Sequence, residues 1–145
     1  GRSRRVGPQV AVGVEPERGR TGVASGFWLT PPNGTMAPAT AAAGPLTVTV
    51  RASWIDVLWD FGDGVRTDSG LSLGHAYPRQ STISHVYQTD TYQQPGGYQA
   101  SATLRFGVWY SVNAGPWRFL GTKAKSYALS YAVNQIQTEG VPAIP

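Results

Sequence analysis

The sequence predicts an all-β protein without a substantial helix, and three observations lead to that prediction. Apolar and polar side chains alternate from Tyr98 to Val112, which is the pattern of a half-buried strand. No long stretch has apolar residues at helical spacing. The 145 residues include 18 glycines and 11 prolines, which divide the chain into short β-type runs. A chain of this length buries enough surface to fold as one domain.

The net charge of +4 is unevenly distributed and indicates a basic N-terminal arm. Residues 1–20 contain five arginines and two glutamates, whereas the other 125 residues contain seven basic and six acidic side chains. The β domain is therefore expected to be nearly neutral. The predicted organisation is a basic arm over residues 1–19, a β domain over residues 20–140 and a tail over residues 141–145.

The arm is expected to lie outside the core and, if it has a role, to act as a docking segment. Val10, Val12 and Val14 alternate like a short strand, and open sheets leave edges with unpaired backbone groups. If the arm adds to the sheet edge of a neighbouring molecule, the contact could repeat and form a filament. The alternatives are that the arm pairs within its own domain or remains disordered. The arginines at its start are candidates for binding an anionic surface or a partner: Arg2, Arg4 and Arg5.

The first half of the β domain divides into four predicted strands. Phe27 to Leu29 forms a short strand that ends at Pro31 and Pro32, because proline cannot donate a ladder hydrogen bond. An Ala- and Thr-rich run over residues 35–43 could form a weak edge strand. The next two are an alternating strand over residues 46–51, with Leu46, Val48 and Val50 pointing inward, and a central strand over residues 54–61.

The second half begins with a long loop over residues 65–84 and a short strand over residues 82–87. Residues 98–112 then form either one long strand or two strands joined by a bulge at Gly107. The remaining elements are a short strand over residues 117–120, a turn over residues 121–125 and a closing strand over residues 127–133.

The hexapeptide Trp59-Asp60-Phe61-Gly62-Asp63-Gly64 is the stretch around which the prediction is organised. Val57, Trp59 and Phe61 are spaced two residues apart, so they point to one face of the central strand. Aspartate side chains accept hydrogen bonds from nearby backbone N–H groups, and glycine accepts a positive φ. The hexapeptide therefore reads as a buried strand that runs directly into a tight turn.

The hexapeptide resembles the signature of the PKD domain. Two later motifs of that family follow it in order, and these are His85-Val86-Tyr87 and Gly97-Tyr98. The resemblance covers roughly residues 46–138 and implies an immunoglobulin-like, two-sheet antiparallel β-sandwich of about seven or more strands. It also implies structural roles for the matching residues, which are Trp59, Asp60, Phe61, Gly62, Asp63, Gly64, His85, Tyr87, Gly97 and Tyr98.

Two tyrosines compete for one position of the family pattern. Tyr87 follows His85 at the family's His-x-Tyr spacing, with residues 88–95 as an inserted loop. Tyr92 also has suitable neighbours, but Asp90 stands where the family has histidine. Tyr87 is the preferred interpretation, and Tyr92 stays an alternative.

The sequence contains no recognisable catalytic set. The absence of cysteine excludes disulfides, thiol catalysis and cysteine metal sites. His75 and His85 do not have the spacing of a zinc site. Asp60 and Asp63 are weak calcium candidates, but their place in a turn favours backbone capping. We therefore expect neither an enzyme nor a bound cofactor.

Two tryptophans are the candidate binding residues. Trp109 falls on the polar register of the long strand, where its ring could stack on a sugar, dock on a protein or be covered by another part of the chain. Trp117 has the same alternatives. The predicted core contains Trp59, Phe61, Tyr98, Leu104, Phe106, Leu129 and Tyr131.

The resemblance and the lack of a catalytic set together predict a non-catalytic extracellular module that mediates protein contact, spacing or assembly at a bacterial surface. PKD domains of this kind occur in exported or surface proteins of high-GC Gram-positive bacteria. The expected partner is a protein or a second copy, with a polysaccharide or an arm-built surface filament as alternatives and no nucleic acid. No run of about 18 apolar residues is present, so no membrane-spanning segment is predicted in this chain.

Overall fold

The computed structural model describes residues 11–30 and 38–135, and within those ranges it contains β-strands in three sheets and no helix. The prediction of an all-β protein is confirmed, while the immunoglobulin-like sandwich stays a prediction. The strands are β1 Val12–Glu15, β2 Gly19–Arg20, β3 Ala24–Leu29, β4 Ala39–Ala43, β5 Leu46–Asp60, β6 Arg66–Asp68, β7 Ile83–Val86, β8 Tyr98–Val112, β9 Arg118–Tyr131 and β10 Val133–Asn134.

The largest sheet, called here the long sheet, has the order β4-β5-β8-β9, with β6 paired to one end of β5. All its pairings are antiparallel. The two predicted strands over residues 46–51 and 54–61 are in fact one strand, whose pairing with β8 shifts at Ile55. β8 is a single strand, as one alternative proposed, and Leu120 is the extra residue where its pairing with β9 shifts.

The predicted turn over residues 121–125 is wrong, because Gly121 and Lys125 pair with β8 inside the continuous strand β9. β9 lies at the edge of the long sheet and is exposed along most of its length. An edge strand with little burial on either face needs no apolar and polar alternation. Its sequence therefore lacks the signal by which the long strand β8 was recognised.

The core lies between the long sheet and a short antiparallel sheet with the order β1-β3-β7. Phe27 of β3 contacts both Trp59 and Phe61, with ring centroids 6.1 and 5.1 Å apart. Five predicted core residues are confirmed as buried, and these are Trp59, Phe61, Tyr98, Leu104 and Tyr131. The other two, Phe106 and Leu129, are partly buried and pack against this core.

The described part of the N-terminal arm belongs to the fold, so the prediction that the arm lies outside the core is wrong for these residues. Val12 to Glu15 pair with β3, and Val12 is buried in the core. Gly19 pairs with Val133 in the two-stranded parallel sheet of β2 and β10. The hydrogen bonds of β1 with β3 and the burial of Val12 hold this segment in the fold, although its composition is polar. Arg2, Arg4, Arg5 and Val10 lie outside the described residues.

Only part of the long sheet is covered by the short sheet. Leu46, Val48 and Val50 share the core face, as predicted, yet Leu46 is 44% exposed and Val50 is 36% exposed. The inward prediction is therefore right about the face but wrong about burial, because no described layer lies opposite these residues. We call this region the distal half: β4 with residues 46–54, 106–112 and 118–123.

Candidate functional site

The hexapeptide turn is held by its own aspartates, which agrees with the capping interpretation. The backbone N–H of Gly62 donates to Asp60 Oδ1 over 2.9 Å, and the N–H of Val65 donates to Asp63 Oδ1 over 3.2 Å. Gly62 and Gly64 have φ angles of +87° and +94°, which residues other than glycine rarely adopt. The motif thus forms a turn at the end of β5 that is closed by its own side chains.

The remaining carboxylate oxygens of this turn are also engaged by protein groups. Asp60 Oδ2 lies 3.1 Å from Arg66 Nε, and Asp63 Oδ2 lies 2.6 Å from His85 Nε2. The imidazole of His85 stacks on Phe61 with centroids 4.4 Å apart and planes at 3°. Across residues 11–30 and 38–135, no three His, Cys, Asp or Glu side chains assemble for a metal. Both carboxylates of the turn therefore have protein groups as partners.

Tyr87, and not Tyr92, occupies the buried tyrosine position of the core. The Tyr87 hydroxyl donates to the carbonyl oxygen of Phe61 over 2.8 Å, and its ring stacks on Tyr98 at 4.4 Å. Burial raises the pKa of the Tyr87 hydroxyl, which stays protonated as this hydrogen bond requires. Tyr92 is 87% exposed.

His75 lies in the loop between β6 and β7, where its backbone N–H donates a hydrogen bond to Ser81 Oγ over 3.2 Å.

The two candidate tryptophans are connected through Arg51 on the distal half, on the face opposite to the core. We call this group the aromatic cluster: Arg51, Trp109, Trp117 and Phe119. Trp109 is the cross-strand partner of both Arg51 on β5 and Phe119 on β9. The Trp109 and Phe119 rings lie 5.1 Å apart at 64°, and the Arg51 guanidinium lies 4.3 Å from the Trp117 ring centroid. The sheet register therefore joins residues from three strand regions.

Gly107 provides the space in which two of these rings lie. A Cβ at Gly107 would come within 3.2 Å of the Phe119 ring, 3.4 Å of the Trp109 indole nitrogen and 3.8 Å of Ile55. The rings therefore cover backbone that would otherwise face solvent, and Gly107 itself is buried. The alternative of two strands joined by a bulge at this glycine is not what the structure shows, since Gly107 is paired with both neighbouring strands and leaves space for the rings.

Several apolar side chains in and beside the cluster are exposed. Trp117 is 38% exposed, Phe119 is 54% exposed and the adjacent Leu120 is 62% exposed, whereas Trp109 is half-buried beneath its neighbours. The sequence prediction identified Trp109 and Trp117 but missed Arg51, Phe119 and Leu120. Only the pairing of β8 with β5 and β9 could have indicated Arg51 and Phe119, because they are the cross-strand partners of Trp109 but lie on other strands. Leu120 follows Phe119 as the extra residue at the register shift.

An ion pair lies on the same face, between the cluster and the hexapeptide turn. Arg105 and Asp56 are cross-strand partners, and the guanidinium donates two hydrogen bonds to the carboxylate over 2.7 and 2.5 Å. The hydrogen bond from Arg105 holds the pKa of Asp56 below its ordinary value, although burial acts in the opposite direction. The pair anchors β5 to β8 just beside the Ile55 irregularity.

Arg105→Gln is expected to lower the melting temperature near neutral pH and to have little effect in strong acid. Because the pKa of folded Asp56 is lowered, the pair's contribution is complete above the ordinary aspartate pKa and is lost as pH falls through the folded-state value. Thermal melts of both proteins from about pH 7 to about pH 2 measure this change. Arg66→Gln is the control, since the Arg66 side chain is 78% exposed and its pair with Asp60 contributes little. An equal loss at both pH extremes would assign the effect to packing of the arginine stem.

Comparison with known proteins does not add to this geometry. No protein-family model matches the chain, and searches of curated proteins and of solved structures also find no match. The described part of the chain has no helix with the length and apolar character needed to cross a membrane. The functional conclusion therefore depends on the chain's own residues.

Proposed function

We propose that this chain is a non-catalytic, PKD-like β-sandwich module that binds a protein partner through the aromatic cluster. The observation that carries the proposal is that Trp117, Phe119 and Leu120, which are close together in the chain at the start of β9, are all exposed. Groups of exposed apolar side chains are a feature of interaction sites in folded proteins. Trp and Arg are also the residues most enriched among energetically dominant interface positions.

The arrangement of the polar residues supports a binding module over an enzyme. Asp60, Asp63 and His85 are titratable residues close to one another, but their side chains form hydrogen bonds within the turn and with each other. The same turn, with Tyr87 bonded to Phe61, supports the PKD resemblance. The extracellular setting at a bacterial surface rests on that resemblance alone.

The relative orientation of the rings favours a protein partner over a sugar. Sugars stack best on a flat, open aromatic face, but Trp109 and Phe119 meet at 64° and the Arg51 guanidinium lies over Trp117. Tilted rings with a neighbouring arginine instead resemble the anchor of a protein interface, in which side chains fill a partner's pocket. An arm-built filament has less support, because Val12 and Val14 already pair with β3.

Glycan binding is the second candidate, because exposed indole beside polar groups is also a feature of sugar sites. Titration of the protein with cell-wall and plant polysaccharides would give saturable quenching of tryptophan fluorescence if this alternative is right. The quenching should then be lost in Trp117→Ala. A panel without any saturable response would leave protein contact as the function of the cluster.

A photoreactive benzoylphenylalanine at Phe119 is expected to cross-link to a discrete partner in cells that produce the protein. The side chain at this position is more than half exposed, so the substitution should leave the fold intact. The adduct yield should fall by at least about tenfold when Trp117→Ala is added, since truncation of an anchor residue typically costs about 2 kcal/mol or more. Electrophoresis and mass spectrometry of the adduct measure the result.

The matched control places the same photoreactive residue at Tyr92. Tyr92 is the more exposed aromatic side chain, and it lies in the loop before β8, outside the distal half. Random collisions should therefore label it at least as well as position 119. An adduct of the same mass and yield at both positions, or no discrete adduct at position 119, would contradict the proposal.

A further inference from the structure

We propose that a cavity on the outer face of the short sheet binds a small zwitterion, a molecule that carries both a quaternary ammonium group and an anionic group. The cavity has a volume of about 260 Å³ and lies on the side of this sheet that points away from the core. It is separate from the aromatic cluster, which lies on the long sheet. Six of its lining residues carry the argument: Glu15, Gly26, Trp28, Tyr77, Arg79 and Ser84.

The floor of the cavity is a position without a side chain in the central strand of the short sheet. The buried residues of β3 alternate with Gly26 and Trp28, so these two point away from the core. Gly26 is the cross-strand partner of both Glu15 on β1 and Ser84 on β7. Because glycine has no side chain, space is left between the Glu15 and Ser84 side chains.

The loop between β6 and β7 forms a wall of the cavity and is fixed against β3. Ser81 Oγ donates a hydrogen bond to the carbonyl oxygen of Phe27, and the backbone N–H of His75 donates to Ser81 Oγ over 3.2 Å. Tyr77 and Arg79 lie between these two attachment points and line the cavity. The cavity is therefore already formed in the unliganded protein, as is usual for small-molecule sites.

Trp28 and Glu15 form the end of the cavity that suits a cation. A Cβ placed on Gly13 would lie 2.2–2.4 Å from three atoms of the Trp28 indole, so the ring extends over β1. Glu15 lies two residues further along β1 and points to the same face. Aromatic rings attract quaternary ammonium groups through their quadrupole, and a neighbouring carboxylate adds a negative charge. Tyr77 contributes a second aromatic ring to the lining.

The cavity also contains opposite charges that do not pair with each other. Glu15 and Arg79 both line it, yet neither side chain forms an ion pair with any residue in the ranges 11–30 and 38–135. A ligand with a single charge is attracted by one of these groups and repelled by the other. A zwitterion with its ammonium toward Glu15 and its anion toward Arg79 satisfies both.

The size of the cavity limits the ligand to a small molecule. Its volume lies just below the range of about 300–1,000 Å³ that is typical of sites for drug-sized ligands. Glycine betaine and the head group of a choline phospholipid have the required charges on a small frame. They share the quaternary ammonium and differ in the anion, which is a carboxylate in betaine and a phosphate in the head group.

Isothermal titration calorimetry of the complete chain with glycine betaine and with glycerophosphocholine tests this inference and distinguishes the two anions. At least one of the two should bind saturably and at least about tenfold more tightly than choline or acetate, because each of these offers only one charge. Glucose is the neutral control and should not bind in the cavity.

Glu15→Gln should weaken binding of the zwitterion at least about tenfold, because it removes the charge that faces the ammonium group. Glu17→Gln is the matched control, since Glu17 is exposed and does not line the cavity. Gly26→Ala should also weaken binding. Its Cβ would lie 3.4 Å from Ser81 Cβ, an ordinary contact that the fold can accommodate, while the methyl group occupies the cavity floor. Circular dichroism melts verify that each variant is folded.

The outcomes separate this inference from the proposed function. No saturable binding of either zwitterion, or equal binding by wild type and Glu15→Gln, would overturn it. Choline that binds as tightly as the zwitterions, or glucose binding that is lost in Gly26→Ala, would overturn it as well. Trp117→Ala should leave zwitterion binding unchanged, because Trp117 lies in the aromatic cluster. Failure of the cross-linking experiment therefore leaves the calorimetric result untouched, and the converse also holds.

Discussion

Trp59→Ala is expected to lower the free energy of unfolding by about 3–5 kcal/mol, the usual cost of truncating a fully buried aromatic residue. Trp59 is 1% exposed, and its ring contacts Phe27 and Phe61 in the centre of the core. Its indole Nε1 also donates to Ser69 Oγ over 3.0 Å, which ties the loop after β6 to β5. The substitution therefore removes packing and leaves that hydroxyl without its donor. Urea denaturation followed by circular dichroism measures the loss.

Trp117→Ala is the matched control for this experiment, because the same side chain is removed from an exposed position. We expect it to change the free energy of unfolding by less than about 1 kcal/mol, as is usual for surface positions. A Trp59→Ala loss below about 1 kcal/mol would show that Trp59 does not anchor the core. A large loss in Trp117→Ala would mean that the aromatic cluster serves folding and not binding.

Gly97→Ala is expected to be the most disruptive single-methyl addition, lowering stability by about 4 kcal/mol or more. Gly97 has φ of +76°, which costs other residues about 1–2 kcal/mol. In addition, a Cβ at Gly97 would lie 2.6 Å from the carbonyl carbon of Tyr131, against the backbone of β9. That backbone cannot retreat without disturbing the Tyr98–Tyr131 pair, in which both side chains are core residues.

Gly96→Ala separates the two causes of this effect. Gly96 has a similar φ of +84°, but a Cβ there meets only the flexible Gln99 side chain at 3.5 Å. It should show the conformational cost alone, about 1–2 kcal/mol. Thermal and urea denaturation of both variants measure the difference. If the two variants lose the same stability, the contact between Gly97 and β9 is not tight.

The two faces of the distal half differ in composition. The aromatic cluster is a local patch on a polar face, which suits the anchor of a separate partner. The opposite face carries apolar side chains of β4, β5 and β8, with Arg118 and Lys123 beside them on β9. Both faces are exposed in this region because β5, β8 and β9 extend beyond the short sheet.

Local sequence determined the hexapeptide turn and the centre of the core. Asp60, Asp63 and the two glycines act on neighbours within a few residues, so their roles could be predicted without a tertiary structure. The same holds for Trp59 and Phe61, since alternation along one strand places them on one face. The polar-face position of Trp109 was also correct, because β8 keeps a regular register along its length.

Pairing between distant strands decided what the sequence could not. Alternation identifies the face on which Leu46 and Val50 lie, but burial depends on whether another layer lies opposite, and that layer comes from β1, β3 and β7. The position of β1 in that layer and the contact between Trp109 and Phe119 depend likewise on long-range register. Local periodicity reports the orientation of side chains along a strand, whereas exposure and neighbours are set by contacts between residues far apart in the chain.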